Sequence, residues 1–228
     1  MREIVFDTET TGFKFSEGDR LVEIGCVELV NRVETGRVFH AYFNPGRMMP
    51  AEAQAVHGLS DAFLSDKPAF HAGVDDLLAF LGDSPLIAHN ASFDFGFLNG
   101  ELAQCRRDPI CLSRMVDTLT MARSRHPGAK HTLDALCNRF GIDRSHRVLH
   151  GALLDAQLLA QVYVELMGGR QIGFGLDAVP APTVASTIAV APSRVRPPRH
   201  FAANDVELAA HAAFIATLKQ PLWDQSSA

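Results

Sequence analysis

The chain contains little of what marks several common protein classes. It has only four cysteines in 228 residues, and none of them forms a CxxC pair or a Cys/His zinc spacing. This pattern argues against disulfides and structural zinc, and favours reduced thiols in a cytoplasmic protein. No apolar run approaches the roughly 18–20 residues of a membrane span. The N-terminal sequence MREIVFDTET leads directly into an apolar segment, so we expect no signal peptide and no membrane association.

Charge is distributed unevenly along the chain. The net charge of −5 argues against a generally basic coat for nucleic acid. Residues 1–103 contain 7 Lys and Arg against 16 Asp and Glu, whereas residues 104–150 contain 9 against 4. The basic stretch could hold a polyanion beside the acidic part, or it could be a solvated helical face. The pattern leaves both interpretations open.

Glycine is absent from the last part of the chain. No glycine follows Gly175, and residues 178–200 contain five prolines and no Phe, Tyr or Trp. This composition is typical of a flexible, extended linker. We therefore expect three parts: a folded domain at 1–176, a linker at 177–203, and a terminal helix with a tail at 204–228.

The terminal segment regains a helical pattern at 204–220, with Asn204 as a candidate N-cap. It also contains Trp223, the only tryptophan of the chain. A short amphipathic helix cannot bury its own apolar face, so we expect it to dock on a partner. The alternative is a tail helix that folds back on the main domain.

The first 176 residues combine strand and helix patterns. Runs rich in Val, Ile and Phe predict strands at 3–9, 21–30, 37–43 and 85–90. Apolar residues at helical spacing predict helices at 76–82, 93–105, 113–124, 132–140 and 151–167, with caps at Ser92 and Thr132. Three strands followed by alternating helices and strands predict an α/β fold, with a mixed central sheet flanked by helices.

Acidic residues and one histidine stand in three separated patches. Asp7 and Glu9 follow an apolar run in IVFDTETTG, Asp94 lies in LIAHNASFDFGFL, and LHGALLDAQ contains His150 and Asp155. In a strand, residues i and i+2 project to the same face, so Asp7 and Glu9 form one acidic pair. Close carboxylates repel each other unless a cation lies between them, and all-oxygen sites suit magnesium or manganese. The patches therefore predict a site for hard divalent metals.

These patches resemble the motifs of a known nuclease family. DTET, HNASFD and HGALLD match, in order, the three motifs of the DEDDh family of 3′→5′ exonucleases, and VHGLSD and DKPAF match segments between them. Within that family, residues 2–176 are similar to the epsilon (proofreading) subunits of bacterial DNA polymerase III. The resemblance implies a ribonuclease H-like exonuclease fold with a flexible C-terminal tail. The sister class with tyrosine in the third motif is disfavoured, because Gly151 stands at that position.

The resemblance also implies hydrolysis of phosphodiesters with two divalent ions, Mg²⁺ or Mn²⁺. It assigns Asp7 to both ions. Glu9 and Asp155 complete the first site, and Asp94 supports the second. His150 is assigned as the general base that accepts a proton from the attacking water, since imidazole titrates near neutral pH. The implied substrate is the 3′ end of a DNA primer strand, from which a mispaired nucleotide leaves as a monophosphate.

Four further residues match substrate-contacting positions of the family: Thr8, Glu52, His57 and Asn90. Thr8 is expected to present backbone groups to the terminal nucleotide, and Glu52 and His57 lie upstream of and within the VHG segment. Asn90 is expected beside the metal pocket, as a phosphate contact or as a residue that orients the ligands. For the adjacent His89, a structural role at the end of a strand is an equal alternative.

Two segments near the C-terminus resemble partner-binding sites. Gln171, Phe174 and Leu176 resemble the short peptide with which bacterial replication proteins bind the sliding clamp, although a simple helix-ending loop would have a similar sequence. The terminal helix with Trp223 resembles the segment through which epsilon subunits bind the catalytic (alpha) subunit of DNA polymerase III. The sequence leaves open whether a small accessory subunit also binds.

Two other functions are compatible with parts of the sequence. A free-standing DEDDh exonuclease that acts on RNA or single-stranded DNA ends would have the same active site. It would not need a linker and a docking helix, and affinity for the polymerase subunit separates it from a replicase subunit. A catalytically silent adaptor between polymerase and clamp is disfavoured, because all five catalytic positions are intact.

Overall fold

The computed structural model describes residues 1–145, 147, 149–169 and 202–219. The chain divides into two units, Met1–Leu176 and Asp177–Ala228. The strands of the first unit are β1 (Arg2–Thr10), β2 (Leu21–Val30), β3 (Val33–Tyr42), β4 (Leu86–Ala88) and β5 (Met115–Asp117). Its α-helices are α1 (Ala51–His57), α2 (Asp61–Leu64), α3 (Phe70–Leu81), α4 (Ala91–Gln104), α5 (Thr118–Arg125), α6 (Leu133–Phe140) and α7 (Ala152–Leu166). The second unit contains α8 (Asp205–Ile215).

The five strands form one mixed sheet in the order β3-β2-β1-β4-β5. The first three strands pair antiparallel, and β4 pairs parallel with both β1 and β5. Asn31 and Arg32 make the tight turn between β2 and β3, and both have positive φ angles of 51° and 66°. Such angles suit the two-residue turns that match the twist of a hairpin. The expected α/β fold with a mixed sheet and flanking helices is confirmed.

Helices cover both faces of the sheet because β1 is apolar on both sides. Ile4 and Phe6 face the core that α3 and α4 close, whereas Val5 faces the core formed with α7. All three side chains are fully buried. A central strand with apolar residues on both faces needs a layer on each side. This layering places β1, which contains Asp7 and Glu9, at the centre of the domain.

Several local predictions differ from the structure. The region 113–124 was expected to be one helix, but it holds a 3₁₀ turn, the short strand β5 and then α5. Asp117 ends β5 and caps α5 by accepting from the backbone N–H groups of Leu119 and Thr120, so the chain changes direction there. Ser92 is not a cap, because α4 begins at Ala91 after Asn90, whose φ is 64°. Helices α1 and α2 were not predicted, and the third strand begins at Val33 rather than residue 37.

The cap predictions at two other helices are confirmed. Thr132 accepts from the N–H of Ala135 at the start of α6, and Gly141 ends that helix in the left-handed conformation. Asn204 begins α8 with a capping box, in which its side chain and that of Glu207 satisfy each other's backbone N–H groups. Helix α8 ends at Ile215, earlier than the expected residue 220. Over the described ranges, no helix combines the length and the apolar character that crossing a bilayer requires.

Candidate active site

Three elements bring the predicted acidic residues together at one edge of the sheet. Asp7 and Glu9 lie towards the carboxyl end of β1, and the parallel neighbour β4 ends at the same edge. The chain then enters α4, which places Asp94 in its first turn. Thr8 Oγ1 donates a hydrogen bond of 2.7 Å to Asp94 Oδ1 and so joins the two elements. Ligand sites of α/β sheets commonly lie beyond the carboxyl ends of parallel strands, and these acidic residues lie at such an edge.

Helix α7 supplies the third part of the site. Its N-cap is Gly151, so His150 lies on the loop entering the helix and Asp155 in the first turn. The backbone N–H of His150 donates to the carbonyl oxygen of Val56 at 3.2 Å, which ties this loop to α1. Asp155 is 3% exposed, whereas the side chain of His150 is about half exposed. The helix therefore presents a buried carboxylate next to an accessible imidazole.

One cavity contains all five residues. It has a volume of about 530 Å³ and is lined by Asp7, Thr8, Glu9, His89, Phe93, Asp94, Leu119, Arg123, His131, Thr132, Leu133, Arg147, His150 and Asp155. Among the described residues, donor atoms of Glu9, His150 and Asp155 approach one another within 4.8 Å. The structure thus brings together the residues of the three separate sequence patches.

Burial and mutual repulsion perturb three of the four carboxyl groups. Burial, followed by the charges of Asp94, Glu9 and Asp155, holds the pKa of Asp7 well above its usual value. Burial, followed by the charge of Glu23, raises the pKa of Glu9 to about 8. Burial also raises the pKa of Asp94 to about 7, against the lowering effect of the Thr8 hydrogen bond. Such shifts indicate carboxylates that lack sufficient compensating positive charge.

The fourth carboxylate is compensated by Arg147, a residue that the sequence patterns did not single out. Arg147 Nε and Nη2 both contact the carboxylate of Asp155, with Nη2 2.7 Å from Oδ2. Burial acts to raise the pKa of Asp155, but hydrogen bonds from His150 and Arg147 lower it below its usual value. An arginine three residues before the motif histidine was the available signal. The matching motif HGALLD begins only at His150 and so does not include it.

These side chains fit a divalent cation. The four carboxylates offer hard oxygen ligands, and burial together with neighbouring negative charge raises the pKa values of Asp7, Glu9 and Asp94. A divalent ion among these buried groups would compensate their negative charge and favour their ionised forms. Oxygen-rich sites of this kind prefer magnesium, manganese or calcium over softer metals. The donor set therefore supports a metal site built from Asp7, Glu9, Asp94 and Asp155.

Gly25 is a second residue whose importance the sequence patterns did not reveal. It lies on β2 directly opposite Asp7. A Cβ atom at Gly25 would lie 2.2 Å from the backbone nitrogen of Leu153 in α7. The absent side chain lets the first turn of α7 approach the sheet, which brings Asp155 to Asp7. A glycine inside a β-favouring run such as LVEIGCVELV was the signal for this close approach.

Some basic residues of the stretch 104–150 line the cavity, and others contact neighbouring groups outside it. Arg123 and His131 line the cavity with the acidic residues, and so does Arg147. Arg107 instead pairs with Asp75, and Arg114 donates to the carbonyl oxygen of Ser84. Among the described residues, it is therefore the later part of the stretch that provides positive charge beside the carboxylates. Arg107 and Arg114 instead make these contacts outside the cavity. Neither residue lies on an α-helix, so the earlier part of the stretch is not the solvated helical face that was the alternative.

A second cavity of about 600 Å³ adjoins the first and shares Thr8, Glu9 and Phe93 with it. It is also lined by two of the predicted substrate residues, Glu52 and His57. His57 Nδ1 accepts from the N–H of Leu59 at 3.0 Å, whereas its buried Nε2 has no hydrogen-bond partner among the described residues. Thr8, Glu52 and His57 therefore lie together beside the acidic cluster.

The remaining predicted residues differ in their positions. Asn90 lines neither cavity; its backbone N–H donates to Asp117, and its side chain is exposed. His89 Nδ1 contacts Thr118 Oγ1 at 2.9 Å, and this hydroxyl also donates to the carbonyl oxygen of Ala88, so His89 has a structural partner as well as a place in the cavity wall. The predicted partner-binding residues lie outside the described residues: Gln171, Phe174, Leu176 and Trp223.

Comparison with known proteins agrees with this geometry. Residues 4–163 match the exonuclease family RNase_T. The DNA polymerase III subunit epsilon of Rickettsia conorii is 59% identical over 177 residues, which cover 76% of this chain and 77% of the relative. The same subunit of Escherichia coli K12 is 42% identical over 221 residues, which cover 93% and 91%.

The chain is also similar to an exonuclease of known structure. Exonuclease X in complex with 5′ overhanging duplex DNA is 26% identical, with a TM-score of 0.57, over 72% of this chain and 90% of that chain. The residues that match the exonuclease family include the sheet and the helices that supply the acidic cluster. The chain therefore belongs to the family of DNA polymerase III epsilon subunits, and residues 4–163 form its metal-dependent 3′→5′ exonuclease domain.

Proposed function

We propose that this protein removes mispaired 3′-terminal nucleotides from a DNA primer strand, as monophosphates, within a bacterial DNA polymerase III. The observation that carries the proposal is the convergence of four carboxylates and one histidine on a single cavity. Phosphodiester hydrolysis at neutral pH needs a site that both activates water and stabilises negative charge on the phosphate oxygens. The cluster provides the groups for each task.

The carboxylates would hold two ions, Mg²⁺ or Mn²⁺. Asp7 would contribute to both sites, Glu9 and Asp155 to the first, and Asp94 to the second. When bound, such ions stabilise charge on the attacking and the leaving oxygen of the phosphodiester. Thr8 would orient Asp94 through the hydrogen bond of 2.7 Å between them.

His150 would act as the general base. Its imidazole is about half exposed at the entrance of α7, so it can reach both the cavity and a water molecule. The hydrogen bond from its backbone N–H to Val56 fixes the loop, and Nδ1 of the imidazole lies 3.1 Å from Asp155 Oδ2, which holds the ring beside the carboxylates. It would accept the proton of the attacking water as the new P–O bond forms.

The second cavity would hold the terminal nucleotide. Thr8, Glu52 and His57 line it next to the acidic cluster, and Phe13 projects into solvent beside it with 85% of its surface exposed. The described residues of the first unit contain no groove-reading motif, so contacts to phosphate and sugar would not depend on sequence. Discrimination would come from strand fraying, since a mismatched 3′ end separates from its template more easily than a paired end.

A kinetic comparison of two primers tests this proposal. The primers differ only in whether the 3′-terminal base is paired or mismatched, and single-turnover cleavage is measured with Mg²⁺ for the wild type and Asp7→Ala. We expect faster release of nucleoside monophosphates from the mismatched primer, weak base preference, and no cleavage by the variant. Equal rates on the two primers would contradict a proofreading site, and cleavage that persists in chelator would contradict metal-dependent hydrolysis.

The C-terminal region would attach the exonuclease to the replicase. The Escherichia coli relative aligns over 93% of this chain, so its similarity extends beyond residue 176. Val206, Leu208 and Phe214 of α8 expose most of their apolar surface, which suits docking on the catalytic alpha subunit. Gln171, Phe174 and Leu176 would bind the sliding clamp, and Trp223 would add to the contact with the polymerase.

A further inference from the structure

Arg147 contacts three side chains at once in the loop before α7. Its Nε and Nη2 hold both oxygens of Asp155, and Nη1 lies 2.8 Å from Asp134 Oδ1. Nη2 also lies 2.7 Å from His150 Nδ1. The arginine side chain is 8% exposed and that of Asp155 4% exposed. A buried, bidentate ion pair between arginine and a carboxylate is among the stronger side-chain interactions in proteins.

Two of the side chains that Arg147 contacts belong to the group of residues whose geometry could hold a cation. Donor atoms of Glu9, His150 and Asp155 lie within 4.8 Å of one another, and Arg147 contacts two of these three residues. Both oxygens of Asp155 already accept a hydrogen bond from the guanidinium, so Arg147 occupies one lone-pair direction on each oxygen that a metal ion could otherwise use. A second positive charge at this distance would also be repelled.

We infer that Arg147 is an internal cation that competes with the metal for Asp155 and holds His150 for as long as it is bound there. The inference rests on the proposed metal-dependent function of this cluster. One guanidinium engages both a metal ligand and the proposed general base. His150 Nδ1 itself lies 3.1 Å from Asp155 Oδ2, so a metal ion bound at Asp155 would displace both the guanidinium and the imidazole from this carboxylate.

The surroundings of Arg147 provide a place for the displaced side chain. Arg147 lines the active-site cavity and also a neighbouring cavity of about 430 Å³, which Asp134 and Arg144 line as well. The contact between Nη1 and Asp134 can persist when the other nitrogens leave Asp155. The loop backbone need not move far, because the N–H of His150 is bonded to Val56. Displacement is thus a side-chain rotation between two carboxylates.

The competition is measured as the affinity of the full-length protein for Mn²⁺, by calorimetric titration without DNA. Arg147→Met removes the internal cation and should bind Mn²⁺ about tenfold or more tightly, the scale of losing a charge-assisted hydrogen bond. Arg147→Lys keeps the positive charge but cannot donate two parallel hydrogen bonds to Asp155. Its Kd for Mn²⁺ should therefore fall between those of the wild type and Arg147→Met. A residue that merely supported the site would change the affinity in the opposite direction.

Arg144→Met is the matched control. Arg144 lies on the same loop and pairs with Asp134 at 3.3 Å, but no contact joins it to Asp155 in the described structure. Its loss removes the same charge and should leave the Kd near the wild-type value. Equal tightening in Arg144→Met and Arg147→Met, or no tightening in either Arg147 variant, overturns the inference while the metal site stands. A wild-type protein that binds no Mn²⁺ overturns the metal site itself, and the inference with it.

The melting temperature gives a second readout that does not depend on activity. In chelator, Arg147→Met should melt below the wild type, because the buried charge of Asp155 loses its compensation. Addition of Mn²⁺ should raise the melting temperature of this variant by more than that of the wild type. An equal rise in the two proteins would show that the metal does not displace Arg147.

Discussion

Asp7 and Gly25 lie directly opposite each other in the antiparallel pair of β1 and β2. The missing side chain of Gly25 leaves the space that the backbone of Ala152 and Leu153 occupies at the start of α7. Directly opposed residues of an antiparallel pair face the same side of the sheet, so α7 crosses on the side of Asp7. The position of Asp155 beside Asp7 therefore depends on Gly25, a residue of β2 that lies outside the three family motifs.

Gly25→Ala is expected to destabilise the fold and impair catalysis. The added Cβ would lie 2.2 Å from the nitrogen of Leu153, and a backbone contact of that length forces α7 away from the sheet. Overpacking of this kind typically lowers the free energy of unfolding by about 1–3 kcal/mol, as urea titration would measure. Exonuclease activity should fall by about 100-fold, since a displacement near 1 Å misplaces Asp155.

The control for this substitution is Gly96→Ala. Gly96 lies inside α4 and is exposed, and a Cβ added there would meet no described heavy atom within 4 Å beyond the adjoining backbone of its own helix. Alanine there should raise the free energy of unfolding by about 0.5–1 kcal/mol through its higher helix propensity. A Gly25→Ala protein that keeps wild-type stability and activity would contradict the role of the close approach.

Thr8→Val should weaken metal binding more than it weakens the fold. Valine has the same shape but cannot donate the hydrogen bond of 2.7 Å to Asp94, so the pKa of Asp94 should rise further. We expect a higher Mg²⁺ concentration for half-maximal activity, with partial recovery at saturating metal. Thr35→Val is the control, because Thr35 donates an equally short bond to Glu28 on the neighbouring strand. Its metal requirement should match that of the wild type.

The metal-free protein should lose stability as the pH rises. The pKa of Glu9 is raised to about 8 and that of Asp94 to about 7, so the folded protein retains protons that the unfolded chain releases near pH 4. This contribution to stability is complete below about pH 4 and disappears progressively up to about pH 8. Melting temperatures in chelator across this range should show the decline.

Asp7→Asn provides the comparison, because it removes one charge of the cluster. Its melting temperature in chelator should exceed that of the wild type by an amount that grows with pH, and Mg²⁺ should abolish the difference. A difference that stays constant with pH would show that repulsion within the cluster does not control stability.

His150→Ala should lower the turnover number by about 10²–10⁴-fold, the usual effect of losing a positioned general base. The imidazole is about half exposed, so its removal should change stability little. Added imidazole should restore part of the rate in His150→Ala and leave the rate of Asp155→Ala unchanged. A variant with near-wild-type turnover would remove His150 from the proposed role.

The sequence was sufficient for the architecture and for the residues of the acidic cluster. Runs rich in Val, Ile and Phe identified β1 and β2, and helix signals placed Asp94 near the start of a helix, because these patterns are local. The three-residue strand β5 was missed because the region 113–124 has helical spacing, which hides the point at Asp117 where the strand ends and α5 begins. Arg147 was missed for a different reason: its partners Asp134 and Asp155 are determined by the tertiary packing of α6 against α7 and not by spacing.

Truncation after residue 176 tests whether the first unit is sufficient for exonuclease activity and the second unit is needed to bind the polymerase. The acidic cluster and the described lining of both cavities come from residues of the first unit. Exonuclease activity on short single strands should therefore remain close to that of the full-length chain. Binding to the catalytic polymerase subunit should be lost, because the exposed apolar residues of α8 and its surroundings are removed. Co-elution of each form with that subunit measures the difference.

The clamp contact is tested separately with Gln171→Ala in the full-length chain. We expect this substitution to weaken clamp binding without changing the affinity for the polymerase subunit. Its effect should be largest when polymerase is present, because a weak contact gains most when a second contact raises its effective concentration. The same substitution should leave hydrolysis of free single strands unchanged, since the described lining of both cavities comes from residues 7–155. A truncated chain that binds polymerase as tightly as the full-length chain would contradict the assignment of polymerase binding to the C-terminal tail.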